Sequence, residues 1–197
     1  MEYIKHFKSV DETLSKLINL FGPIQYRAKY KEGKKYYFEN LVISIIGQQL
    51  SIKATESIKN RVFTYLNFNV KPISFIHADK SELRKCGLSN SKIDYIKNLS
   101  LAVQSGELDL KGIDELTDEE VIKELTKIKG IGNWTAEMFL IFSLKRPDVF
   151  SFSDVGLLNA IKKIYGKDLE KKEIQTITDN WKPYRSYAAM YLWKSLE

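Results

Sequence analysis

The sequence holds a single cysteine, Cys86, and two histidines, His6 and His77, in 197 residues. One cysteine excludes an internal disulfide. So few sulfur and imidazole groups also exclude a zinc cluster or a four-cysteine iron–sulfur centre. A reducing, intracellular setting is the expectation that follows. Neither histidine has an acidic or cysteine neighbour at ligand spacing, so both read as structural or solvated. No apolar run approaches the roughly 20 residues that span a bilayer. The N-terminus MEYIKHFKSV has neither the apolar core nor the cleavage pattern of an export signal, so no membrane partner is expected. Strict apolar/polar alternation is scarce, which argues against sheet. There is no internal repeat and no low-complexity segment. No Gly-Lys-Ser/Thr phosphate loop and no strand–GxGxxG–helix unit occurs, so a bound nucleotide is not expected.

What is present is helical periodicity. The chain is 44% hydrophobic and 28% charged, with a net charge of +6, long enough for one compact domain or two closely packed subdomains. The charge favours a polyanion, although a lysine-rich solvated surface accounts for it equally well. Ser9 with Glu12 reads as a capping box opening a helix whose stripe is Val10, Leu14, Leu17, Ile18 and Phe21, closed by Gly22-Pro23. Residues 24 to 38 mix Arg27, Lys29, Lys31, Lys34 and Lys35 with four tyrosines. Such a stretch can hold phosphates and stack on bases, or it is a solvated loop with its tyrosines packed inward, the simpler reading. From Glu39 a helix apolar nearly all round (Leu41, Val42, Ile43, Ile45, Ile46) runs to Gly47. Ser51 caps the next helix, towards Leu66, with Gln48-Gln49-Leu50 on the turn between them. Lys71-Pro72 marks a break, Ser81 is expected to cap SELRKCG, and Ser91 to begin a helix carrying Ile93, Ile96, Leu99 and Val103. Cys86 reads as a small buried hydrophobe beside Leu83 and Leu88. Thr117 with Glu120 makes a further capping box.

The most informative stretch is 126 to 156, TKIKGIGNWTAEMFLIFSLKRPDVFSFSDVG. Ile128-Lys129-Gly130-Ile131-Gly132 ends one helix and begins another through a turn too tight for large side chains, with the glycines free to take φ > 0. Asn133-Trp134-Thr135-Ala136 opens the second helix, whose N–H groups and positive dipole end suit an anion. A backbone phosphate fits better than a nucleotide. Asp154 stands at the first turn of a following helix, LLNAIKKIYG, where Asp is an ordinary N-cap. A carboxylate there, with no metal or histidine partner, could also face positive charge building on a sugar. A last helix runs from about Tyr184 to Trp193. The expectation is an all-α protein of two helical subdomains, about 35–145 and 1–34 plus 146–197, with an active-site cleft between them.

The segments LTKIKGIGNWTAEMFLIFSL, RPDVFSFSDVGL and LVISIIGQQLSIKA together resemble the helix-hairpin-helix DNA glycosylases, in particular the 3-methyladenine DNA glycosylase II branch. The likeness spans roughly residues 35 to 197, with Asp154 standing 22 residues after Gly132. The absence of a four-cysteine cluster sets it apart from the iron–sulfur branches. No counterpart is expected to the extra N-terminal domain of some larger members, and residues 1 to 34 are poorly covered. The resemblance implies double-stranded DNA containing a damaged base as partner, a monomer, and hydrolysis of the N-glycosidic bond of alkylated purines after base flipping. It implies Asp154 as the catalytic carboxylate, with Asp148 structural. Trp193 would stack on the extruded base, and Trp134 and Met138 would line its pocket; some members carry an aromatic residue in place of Met138. Strand-cutting members have a lysine where this chain has Trp134, so an intact abasic site is expected. Gln48, Gln49, Leu50, Ser51, Lys127, Lys129, Gly130, Ile131 and Gly132 would contact DNA, with Gln49 or Leu50 as the wedge that fills the emptied stack. Main-chain carbonyls of Thr126, Ile128 and Gly130 would hold a sodium or potassium ion, and no cofactor is required. Deaminated or oxidised purines as substrate, or DNA binding without catalysis, are the alternatives.

Overall fold

The computed structural model describes residues 1–24, 30–166 and 168–196. The described residues form twelve α-helices and two short 3-10 turns, with no strand among them. The chain divides into two compact units, Met1–Ala28 with Lys145–Glu197, and Lys29–Leu144.

The first unit contains α1 (Glu2–Val10), α2 (Glu12–Phe21), α10 (Val155–Tyr165), α11 (Lys171–Asp179) and α12 (Arg185–Lys194). Asp11, not Ser9, caps α2, accepting from the Leu14 N–H at 2.9 Å. Ser9 instead turns its hydroxyl back to the His6 carbonyl, because it lies inside α1, a helix the 9–21 pattern did not reveal. Burial covers most of α12, including Ala188, Ala189, Tyr191 and Leu192, and α12 packs on α2 and α10. Trp181 is fully buried and donates its indole N–H to Asp11 Oδ2 at 2.7 Å. Tyr165 donates to the same oxygen at 2.8 Å.

The second unit contains α3 (Tyr37–Gly47), α4 (Ile52–Tyr65), α5 (Pro72–His77), α6 (Lys80–Lys85), α7 (Asn90–Ser105), α8 (Asp118–Thr126) and α9 (Asn133–Phe142). Helix α3 is its centre: every residue from Tyr37 to Ile46 is buried, against α4, α7 and α9. Each fully buried Leu or Ile there contributes roughly 1.5–3 kcal/mol. Its three buried polar residues, Glu39, Asn40 and Ser44, all have partners, and the Ser44 hydroxyl donates to the Asn40 carbonyl at 3.1 Å. Glu39 pairs with Lys31 at 2.8 Å, and Asn40 exchanges two hydrogen bonds with the Lys31 backbone.

Of the basic–aromatic stretch, residues 25–29, with Arg27 and Lys29, lie outside the described residues. In the remainder Tyr30 and Tyr37 are buried, Tyr30 stacked on Phe142, while Lys34 pairs with Asp114. The caps at Ser51 and Thr117 form as the sequence indicates. Two others shift: Asp79 rather than Ser81 caps α6, and Ser89 rather than Ser91 precedes α7. In both, an earlier residue already offers the side-chain oxygen that reaches the first-turn N–H groups.

Candidate functional site

In the first unit the loop after Leu144 delivers Asp154 to the N-terminus of α10. The opening turn of α12 clamps that loop. Arg185 meets Asp148 in a fork, Nε to Oδ1 at 2.7 Å and Nη2 to Oδ2 at 3.0 Å. The Ser186 hydroxyl donates to the Arg146 carbonyl at 2.7 Å and accepts from the Val149 N–H at 2.9 Å. Asp148 is thus engaged by Arg185, in keeping with the structural role that the resemblance implies. Downstream, Asp154 Oδ1 accepts the Leu157 N–H at 2.8 Å, capping α10. The far end of α12 brings the Trp193 indole N–H to the same oxygen at 3.4 Å. Asp154 is 8% exposed. The carboxylate is thus enclosed at the positive end of a helix dipole. Gly156 leaves room for this arrangement, since a Cβ there would lie 3.0 Å from Oδ1. Nothing in the sequence singled Gly156 out.

In the second unit, α8 and α9 are joined by the expected hairpin. Ile128 and Ile131 are buried, and the Ile131 N–H donates to the Ile128 carbonyl at 3.0 Å. Of the two glycines only Gly130 takes the left-handed region, φ 105°, and its Cβ would fall 2.1 Å from the Tyr95 ring. Gly132 has φ −95° and is the N-cap of α9, with no side chain capping that end. The expectation that both glycines turn through φ > 0 fails for Gly132, which nothing approaches within 4 Å. A side chain at Gly132 would enter open space at the N-terminal end of α9.

The other end of α3 forms a tight turn. Leu50 N–H donates to the Gly47 carbonyl at 3.2 Å, Gln48 sits at φ −54°, ψ 126°, and Gln49 has φ 57°. This is the pattern of a type II turn, whose third residue is normally glycine. Gln49 is exposed, and so is Leu50, at 40%. Ser51 is committed to capping α4. Gln48 turns inward: its Nε2 donates to the Gly130 carbonyl at 3.0 Å and to Thr135 Oγ1 at 3.1 Å. Its carbonyl accepts from Lys92 Nζ at 2.8 Å.

The structure therefore gathers the candidate residues into two groups, Asp154 with Trp193 in one unit, and Gln48 with the hairpin in the other. The Ile131 side chain is in the core, leaving only its main chain for an external contact. Met138 is buried and Trp134 half-buried, four residues apart on one side of α9. Lys129 is exposed, and Lys127 pairs with Glu124 at 2.7 Å. Lys92 and Tyr95 were missed, because polar residues flanking a helix's apolar stripe read as a solvated face. Among the described residues no three His, Cys, Asp or Glu side chains group as a metal site. No described helix is long and apolar enough to cross a membrane.

The chain belongs to the HhH-GPD superfamily of base excision DNA repair proteins, whose sequence model matches residues 42–186. It is 36% identical over 195 residues to DNA-3-methyladenine glycosylase 1 of Schizosaccharomyces pombe, covering 96% of this chain and 85% of that protein. Its fold is similar to that of the Schizosaccharomyces pombe 3-methyladenine DNA glycosylase Mag1 solved with abasic DNA. That match has a TM-score of 0.88 at 34% identity, over 99% of this chain and 96% of the other. A DNA-3-methyladenine glycosidase from Bacillus halodurans matches with a TM-score of 0.82 at 38% identity, over 99% and 89%.

Proposed function

We propose that the protein is a monofunctional DNA glycosylase that removes alkylated purines such as 3-methyladenine from double-stranded DNA, acting as a monomer inside the cell. The observation that carries the reading is the buried Asp154 carboxylate, capped into α10 and touched by Trp193. As the bond between the base and the deoxyribose breaks, its electron pair leaves with the base and positive charge grows on the sugar. Asp154 faces that charge, and water then adds to the sugar carbon and releases a proton to solvent, leaving the abasic sugar. An N-alkylated purine already carries positive charge, so it leaves readily, and it stacks well on an electron-rich indole, the role of Trp193. The family resemblance assigns base contacts to Trp134 and Met138 as well. Trp134 also stands where a strand-cutting enzyme needs a lysine, so the abasic strand stays intact.

The hairpin holds a phosphate on the main chain from Gly130 to Gly132 and on the open end of α9, with Lys127 and Lys129 adding charge. Gln49 is the wedge. A non-glycine residue kept in a left-handed turn costs about 1–2 kcal/mol, and an exposed side chain held at that cost fits a functional role. A monovalent cation on the Thr126, Ile128 and Gly130 carbonyls would tie hairpin to phosphate electrostatically. The Ile128 and Gly130 oxygens each accept one hydrogen bond already, which leaves each a second lone pair.

The test is base release from methylated DNA by wild type and Asp154→Asn, which keeps an N-cap. Wild type frees 3-methyladenine or 7-methylguanine, and the variant binds DNA but frees almost none. Release of hypoxanthine or 8-oxoguanine instead would move the substrate class. Salt-dependent binding with no base released from any duplex would overturn the enzyme reading.

A further inference from the structure

Helix α7 carries three polar side chains three residues apart, flanking its core stripe of Ile93, Ile96 and Leu99. Each meets an element that faces DNA in the proposed function. Lys92 Nζ donates to the Ile46 carbonyl at 2.7 Å and the Gln48 carbonyl at 2.8 Å. The Tyr95 ring fills the space under Gly130. Asn98 Nδ2 reaches the Lys129 carbonyl at 3.4 Å. Gln48 closes the circuit through its own amide, bonded to the Gly130 carbonyl and Thr135.

The Gln48 carbonyl belongs to the central peptide of the Gly47–Leu50 turn. Types I and II of such a turn differ by the flip of that one peptide. Type I would give Gln49 a negative φ without strain, whereas type II forces it left-handed. An ammonium group anchored on the last turn of α3 through the Ile46 carbonyl, and reaching the Gln48 carbonyl, holds the flipped form. Helix C-terminal carbonyls attract a cation, although burial lowers the Lys92 pKa below the ordinary lysine range.

We propose that Lys92 is a positioning residue for the wedge: it locks the central peptide of the Gly47–Leu50 turn and so aims Gln49, while Gln48 fixes that turn to the phosphate-gripping hairpin. The inference rests on the glycosylase reading for its purpose, but not for its readout. Without Lys92 the turn relaxes, Gln49 swings off its line, and the hairpin still grips phosphate.

The experiment uses a duplex with an abasic-site analogue beside 2-aminopurine, whose fluorescence rises when a wedge unstacks it and which requires no excision. Lys92→Met is expected to lose about tenfold of the wild-type fluorescence response, the scale of a misplaced positioning group. Its affinity for undamaged duplex should change less than about threefold, since phosphate contacts dominate that term. Lys92→Arg, still a cationic multiple donor, should return the response to within about threefold of wild type. If Lys92→Met fails to fold, Lys92→Gln, too short to hold both carbonyls, carries the same expectation. A folded variant with a wild-type response overturns the proposal, as does a loss matched by an equal loss of duplex affinity. Wild type that unstacks 2-aminopurine yet frees no methylated base counts against the glycosylase reading alone, and leaves the Lys92 comparison intact.

Discussion

Trp193 Nε1 and the Leu157 N–H converge on one oxygen of Asp154, at 3.4 Å and 2.8 Å, and Gly156 lies directly beside that pair. A Cβ at Gly156 would stand 3.0 Å from Oδ1 and 3.8 Å from the Trp193 ring. Alanine in a helix is ordinarily worth about 1 kcal/mol over glycine. Gly156→Ala is therefore expected to keep or raise the melting temperature while single-turnover base release falls about tenfold, through a carboxylate moved by a few tenths of an ångström. Unchanged release would mean that the position of Asp154 is not set by this contact.

At Gln49 stability and activity should move in opposite directions. The left-handed backbone costs a non-glycine residue about 1–2 kcal/mol, against about 0.5–1 kcal/mol lost to the freedom of glycine in the unfolded chain. Gln49→Gly should gain about 0.5–1 kcal/mol in denaturant unfolding and lose most base release, with little change in affinity for undamaged DNA. Full activity in the glycine variant would assign the wedge to Leu50.

The two hairpin glycines should separate folding from binding. Gly130→Ala meets both φ 105° and the Tyr95 ring, and is expected to cost at least about 2 kcal/mol of stability. Gly132→Ala has an ordinary φ and empty surroundings, so its stability should stay within about 0.5 kcal/mol of wild type. Its methyl group would stand where a phosphate approaches α9, and duplex affinity should drop. Equal stability losses in the two variants would contradict this division.

Tyr165 sets an alkaline limit. Burial, and then the Asp11 carboxylate that accepts its hydroxyl at 2.8 Å, push the phenol pKa far above its ordinary value. Above pH about 10 the unfolded tyrosine loses its proton while the folded one keeps it. The unfolded state then binds fewer protons, and stability falls by about 1.4 kcal/mol per pH unit from this group. Tyr165→Phe should be less stable at neutral pH, where the hydrogen bond is lost, with a gap to wild type that narrows as pH rises past 10. A constant gap would show that Tyr165 does not titrate differently in the two states.

Much of the site was legible because its signals are local. Ser51 and Thr117 reach N–H groups within the next turn, the stripe of α3 repeats within its own length, and the hairpin and Asp154 lie in one stretch of 29 residues. Where local reading slipped, a competing residue two places away took the cap: Asp11 downstream of Ser9, and Asp79 and Ser89 upstream of Ser81 and Ser91. Gly132 looked like its neighbour Gly130 because two glycines at one spacing do not announce which of them needs φ > 0.

By itself the sequence determined the helical character of the described residues, their main helix boundaries and the hairpin. These follow from 3.6-residue periodicity and from capping groups that act within a turn. Only the tertiary structure decided that Trp193 meets Asp154, 39 residues away. It likewise decided that Gln48 looks inward to Gly130 rather than outward, and that Lys92 holds the turn carrying Gln49. Contacts at such separations have no period to read. They are fixed by which helix faces pack, and by the need of each half-buried polar group to find a partner there.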